Sequence, residues 1–170
     1  MVPPEHDGSY GAVKNEDIAR VFGEIADFLE LADENNYRVI AYRNAERELR
    51  STGYDIPALL AAGEALPKMP GIGAELSAKI REICDTGTSK TLEKLRKDYP
   101  AGILDLLRLP GVGPRRVRLF YGKLGIGSLE ELERAIRTGR LRSLGGFGAK
   151  SEQRLLEAIM TVKSGHARRL

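Results

Sequence analysis

Three short stretches of the chain share one arrangement of residues: MPGIGAELSAKI (69–80), LPGVGPRRVRLF (109–120) and LGGFGAKSEQRL (144–155). Each reads apolar, Pro or Gly, Gly, apolar, Gly, and each runs into a helical pattern. A glycine pair of this kind lets the backbone turn tightly and lets a large partner approach the amides. The helix that follows points its first free N–H groups, and the positive end of its dipole, outward from the same corner. That makes a phosphate site from main chain alone. Arg115 and Arg116 after the second corner, and Lys150 after the third, add Coulomb attraction without reading any base. The chemistry these residues suit is the holding of a phosphate backbone at Gly71, Gly73, Gly111, Gly113, Gly146 and Gly148.

One Gly-x-Gly serves equally well to let two helices pack closely. Three copies, two of them followed by basic residues, favour nucleic acid. The corners are not nucleotide loops. A dinucleotide site needs a preceding strand and a Walker-type loop needs Gly-Lys-Ser/Thr, and the sequence offers neither.

The elements that must position these corners are helical. Each corner follows another helical pattern: ALLAAGEAL, GILDLLRL or LEELERAIRTGRL. From Asn15, read as an N-cap, Ile18, Val21, Phe22, Ile25, Phe28 and Leu29 recur with helical spacing and predict a helix ending near DENN. A second is predicted over Tyr37 to Arg50, with Val39, Tyr42, Ala45 and Leu49 inward and Gly53 as its stop. IPALLAA predicts a third, and Ser128 with Glu131 forms a capping box ahead of Leu129, Leu132 and Ile136. No segment alternates with period two, so the fold class is all-α.

Charge divides the chain. Residues 1–85 hold 9 Lys+Arg against 16 Asp+Glu, net −7, and residues 86–170 hold 18 against 8, net +10. The second half is the better polyanion surface. The lone cysteine, Cys84, excludes a disulfide framework and suits a reducing compartment; on a helix it reads as a small buried residue. The N-terminal stretch MVPPEHDGSYGAV has no export signal and no apolar run is long enough to cross a bilayer. The expectation is a cytoplasmic, nucleoid-associated monomer with no membrane partner.

The three corners resemble helix-hairpin-helix motifs, which bind DNA phosphates without regard to sequence. The similarity is wider than the corners. YRVIAYRNAERELRSTG, MPGIGAELSAKIREICDTGTSKTLEKL and LLRLPGVGPRRVRLFYGKLGIGSLEELERAI follow, in order, the N-terminal region of family X DNA polymerases, over about residues 14 to 165. The resemblance implies tandem helix-hairpin-helix subdomains: a leader over 1–13, a lyase-like domain with the first hairpin over 14–95, a DNA-binding domain with the second and third over 96–165, and a tail over 166–170. Polymerase activity does not carry over, because this family's metal-binding acids begin with an Asp-x-Asp pair and this chain has none.

The resemblance also implies site residues. Family X lyase domains remove a 5′-deoxyribose phosphate through a Schiff base on a lysine of the helix after the first hairpin, the position of Lys79. Helical geometry puts Leu76, Ile80 and Ile83 on one stripe with Lys79 at its border, flanked by Glu75 and Glu82 as ion-pair partners. Arg38 matches a basic position, Tyr42 a tyrosine of the lyase pocket, Lys90 a phosphate-contacting arginine, and Tyr37 an aromatic that stacks on a base. Glu75 and Thr91 stand where strong lyases have lysines, and Ala78 where they have a glutamate. Helix-hairpin-helix motifs of this family also bind Na+ or K+ through backbone carbonyls, here those of Met69 and Ile72, and of Leu107, Leu109 and Val112. The lyase needs no other cofactor.

Three readings stand on sequence alone. One is a repair protein that binds gapped or nicked DNA with a 5′-phosphate and excises the sugar phosphate. Another is a non-catalytic DNA-binding module or the targeting part of a larger polymerase. The third is a helical protein-interaction scaffold, suggested by the acidic first half.

Overall fold

The computed structural model describes residues 13–169, and among them there is helix and turn but no strand. The chain is all-α and divides into two compact units, the first up to Leu95 except for Glu30–Ala32, which group with the second from Arg96 onward. The predicted leader, residues 1–13, lies outside the described residues except for Val13.

The first unit holds α1 (Asn15–Leu31), α2 (Asn36–Ser51), α3 (Ile56–Ala61), α4 (Ala74–Thr86) and α5 (Lys90–Lys97). Its core is the apolar stripe of α1, with Ile18, Phe22, Ile25 and Phe28 fully buried, joined by Tyr42, Leu49, Ile56, Ile80 and Ile83. Asn15 begins α1 but does not cap it: Asp17 accepts the Lys14 N–H at 2.9 Å instead. The Asn15 side chain donates to the Tyr54 carbonyl at 2.6 Å and accepts the Ile56 N–H at 3.0 Å, tying the start of α1 to the start of α3. Gly53 is not the stop of α2, which ends at Thr52 in extended conformation. The helix predicted before the first corner is also shorter than ALLAAGEAL, since α3 ends at Ala61.

The second unit holds α6 (Ile103–Leu107), α7 (Gly113–Leu124), α8 (Leu129–Arg137), a 3₁₀ turn (Arg140–Leu144) and α9 (Ala149–Arg169). Ile103, Leu106, Val117, Phe120, Leu132, Leu141 and Ile159 form its core. Ser128 caps α8 by accepting the Glu131 N–H at 3.1 Å, and Glu131 reaches back to the N–H of Gly127 at 2.9 Å, closing the predicted box one residue early. Residues 166–169 continue α9 and do not form a separate tail.

Candidate nucleic-acid interface

The first two corners are one structure built twice. Met69-Pro70-Gly71-Ile72 closes with the Ile72 N–H donating to the Met69 carbonyl at 3.1 Å, and Leu109-Pro110-Gly111-Val112 with Val112 donating to Leu109 at 3.2 Å. Proline supplies the second position and a glycine with φ +78° the third, in both Gly71 and Gly111. A type II turn demands those residues there, because a side chain in the left-handed region costs about 1–2 kcal/mol. Met69, Leu109 and Val112 are buried and anchor the turns from beneath, while Gly71 and Gly111 stay exposed.

The helix starts beyond these turns are open. Three other helix starts are closed by side chains, with Asn35 accepting from Tyr37 ahead of α2, Asp55 from Ala58 ahead of α3, and Ser128 from Glu131 ahead of α8, while the short α6 has no such cap. The starts of α4 and α7, after the two corners, have no side-chain cap. Their leading amides are left for solvent or a ligand. A Cβ placed on Gly71, Gly73, Gly111 or Gly113 would meet nothing within 4 Å, so no protein packs on the corners from that side.

Charge separates the two. The first turn of α4 carries Glu75, whereas the first turns of α7 carry no acid and hold Arg115 and Arg116. Both arginines are exposed. Arg115 has no ion pair or hydrogen bond among the described residues. Arg116 donates to the Gly111 carbonyl at 3.3 Å and lies over the Phe147 ring, 5.6 Å from its centroid.

The third corner differs in kind. Gly145 stands in place of proline, Gly145 and Gly146 both have positive φ (71° and 74°), and a 3₁₀ turn precedes them. Its apolar residue, Phe147, packs on Phe120 of α7 at 5.6 Å and beneath Arg116. Gly148 and Lys150 are exposed, but the next residue of the stripe, Glu152, is buried and accepts from Arg142 at 2.8 Å. This corner braces α7. The apolar Phe147 among glycines was the signal, and sequence pattern alone did not say what it would meet.

In the first unit Lys79 meets Thr91, and the other residues singled out are spread over α2, α4 and the start of α5. The stripe of α4 is buried as Leu76, Ile80 and Ile83, with Lys79 half-buried beside it. The Lys79 ammonium donates to Thr91 Oγ1 at 3.1 Å, and among the described residues no carboxylate comes within ion-pair distance of it. The predicted pairs with Glu75 and Glu82 do not form. Glu82 instead receives the Lys90 N–H at 3.5 Å, at the start of α5. Lys90 itself is exposed.

Tyr42 is 2% exposed, its ring edge-on to Phe22 at 5.4 Å, and its hydroxyl has no hydrogen-bond partner. Burial pushes its pKa up from 10.0, and Arg38 pulls the other way from nearby without making a hydrogen bond of good geometry. Glu75 and Glu82 raise it further, so both carboxylates of the Lys79 face act on this hydroxyl. Arg38 is exposed and 4.0 Å from Glu34. Tyr37, 82% exposed, stands apart on the outer face of α2. Cys84 is half-buried, not buried; desolvation and then Asp85 push its thiol up to about 11, which keeps it unreactive.

Among the described residues no helix is long and apolar enough to cross a membrane, and no cluster of His, Cys, Asp and Glu is arranged to hold a metal. Comparison with known proteins finds the helix-hairpin-helix domain family over residues 13–89 and the SAM-like helix-hairpin-helix tandem family over residues 103–161. The chain is 34% identical over 143 residues to the DNA polymerase/3′-5′ exonuclease PolX of Bacillus subtilis (strain 168). The matched region is 84% of this chain and 24% of the relative, so the chain spans about a quarter of that protein's length.

Proposed function

Because the chain is a tandem of helix-hairpin-helix domains resembling the N-terminal region of family X DNA polymerases, we propose that it grips gapped or nicked DNA through its phosphates in DNA repair. The observation that carries this is the uncapped start of α7. An exposed Pro-Gly corner, free amides and the exposed cations Arg115 and Arg116 there converge on one spot. Such contacts ignore base identity and weaken steeply with salt. Fluorescence anisotropy on gapped duplexes of unrelated sequence, titrated with KCl, tests this directly. Equal affinity across sequences with a steep salt slope supports it; a flat salt response rejects it.

The first unit adds a 5′-deoxyribose-phosphate lyase centred on Lys79. Its neutral amine adds to C1′ of the ring-opened sugar, and the carbinolamine loses water to give a C=N bond. Loss of the C2′ proton to solvent then breaks the C3′–O bond and releases the DNA 5′-phosphate, after which water frees the lysine. The lack of an ion pair on Lys79 among the described residues supports this role, since a carboxylate partner would favour the protonated amine. Borohydride adds hydride to the C=N carbon and locks protein to DNA. Trapping that Lys79→Ala abolishes is the expected result, and equal trapping by that variant rejects the assignment.

Glu75 in the first turn of α4 favours the alternative of a non-catalytic targeting module, which would bind DNA and never trap. The corners also fit a monovalent cation. The turn hydrogen bonds occupy one lone pair of the Met69 and Leu109 carbonyls, leaving the other for Na+ or K+ beside Ile72, Leu107 and Val112. Such an ion would neutralise charge between main chain and phosphate. The protein acts as a monomer in this reading.

A further inference from the structure

The Lys79–Thr91 contact joins two helices across a loop fixed by side chains. Thr86 Oγ1 donates to the Thr88 carbonyl at 2.9 Å and accepts the Thr88 N–H at 3.2 Å. Thr88 in turn bonds Glu93 at 3.2 Å, and the fully buried Ser89 caps α5 by accepting from Leu92 and Glu93. Thr91, on the first turn of α5, is thereby held in place, and its β-branched side chain has few rotamers to choose among. The Lys79 stem lies beside the buried Leu76, Ile80 and Ile83, and its amine ends on this hydroxyl.

A hydroxyl bonds a lysine amine in both protonation states without favouring the charged form as strongly as a carboxylate does. It accepts from the ammonium and goes on accepting from one of the two N–H bonds of the neutral amine, which leaves the lone pair free to attack. A carboxylate would favour the charged form, and a lysine at position 91 would repel it. Resting on the lyase reading above, we infer that Thr91 is a positioning residue for Lys79, holding Nζ at one point while it loses its proton, attacks C1′ and becomes the C=N nitrogen. The electrons that form the C–N bond come from the Lys79 lone pair, and Thr91 gains and loses no covalent bond. Its contribution lies in orientation, which is lost when a side chain of the same shape lacks the oxygen.

The test compares wild type, Thr91→Val and Thr91→Ser in borohydride trapping at saturating gapped DNA with an incised abasic site, alongside DNA affinity by anisotropy. Thr91→Val should trap about tenfold more slowly with unchanged affinity, and Thr91→Ser, which keeps the oxygen, should recover at least half the wild-type rate. A merely structural threonine would lower affinity and helix content together, and serine would not rescue it. Wild-type trapping with no loss in Thr91→Val overturns the inference and leaves the lyase reading standing. Absence of wild-type trapping overturns both.

Discussion

The two Pro-Gly corners share one turn and differ in their electrical setting. Around the first, residues 14–95 carry 11 Lys+Arg against 15 Asp+Glu, and the helix after the corner opens with Glu75. Around the second, residues 96–165 carry 14 against 7, and the helix opens with Arg115 and Arg116. The difference teaches that the turn and the field are separate requirements for a phosphate site. Turn geometry is written by Pro and Gly at fixed positions, and the field by whichever side chains the next helix brings. The second unit presents exposed cations beside its corner. The first opens its helix with an acid, and Lys79 of that helix rests its amine on the Thr91 hydroxyl.

The comparison breaks most decisively at α7. Arg115→Glu with Arg116→Glu should lower affinity for gapped duplex by about 100-fold or more, since two charge-assisted contacts of about 1.5–3 kcal/mol each become repulsive. Anisotropy at moderate salt reads this, and retained affinity would move the duplex contact elsewhere. The single variants separate two roles. Arg115→Glu should weaken DNA binding while leaving thermal stability unchanged. Arg116→Glu should lower both, because it also breaks the hydrogen bond to Gly111 and the stacking on Phe147.

The corner glycines sharpen the same contrast. Gly113 has φ +75°, whereas Gly73 has φ −92°, open to any residue. A Cβ meets nothing at either. Gly113→Ala should therefore cost about 1–2 kcal/mol of stability, seen as a lower urea midpoint. Gly73→Ala should be neutral in stability and weaken DNA binding severalfold, because the glycine there serves the approach of the ligand. A Gly73→Ala protein with full DNA affinity would remove the first corner from the interface. Glu75→Lys asks the converse question. Replacing the acid with a cation should raise affinity for a 5′-phosphorylated gap about threefold to tenfold at low salt, and the gain should vanish near 1 M salt.

Much of this was legible in the sequence, and the limit was set by what depends on neighbours. The stripe Ile18, Phe22, Ile25, Phe28 on α1 and Val39, Tyr42, Ala45, Leu49 on α2 follow from helical periodicity alone, and all are buried. The type II turns follow from Pro-Gly. Asn15 looked like a cap because of its type and place, yet its side chain found two backbone partners about forty residues away, and Asp17 took over the capping. The ion pairs expected of Lys79 came from spacing along one helix, while the partner that prevailed, Thr91, arrives on another. The third corner shows the same limit. Its glycines match the repeat, but without proline the turn changes, and Phe147 is drawn onto Phe120, a contact no local pattern encodes.

The smallest expected effect concerns the orphaned hydroxyl of Tyr42. A buried donor without a partner costs about 1–3 kcal/mol, so Tyr42→Phe, which keeps the ring on Phe22, should stabilise the free protein by about 1 kcal/mol. The pH dependence distinguishes this from a packing gain. Folding raises the Tyr42 pKa above 10.0, chiefly by burial, so the neutral hydroxyl is favoured by the folded state. That contribution is fully present below pH 10 and is lost as pH rises through the higher folded value. Relative to Tyr42→Phe, the wild type should hold a constant stability difference from pH 7 to 9 and fall further behind above pH 10. The hydroxyl is buried as well as unpaired, so the variant should gain stability with no change in affinity for a 5′-phosphorylated gap. A loss of affinity alongside the gain in stability would mean that binding DNA uncovers the hydroxyl, and would remove Tyr42 from the core residues that act only by packing.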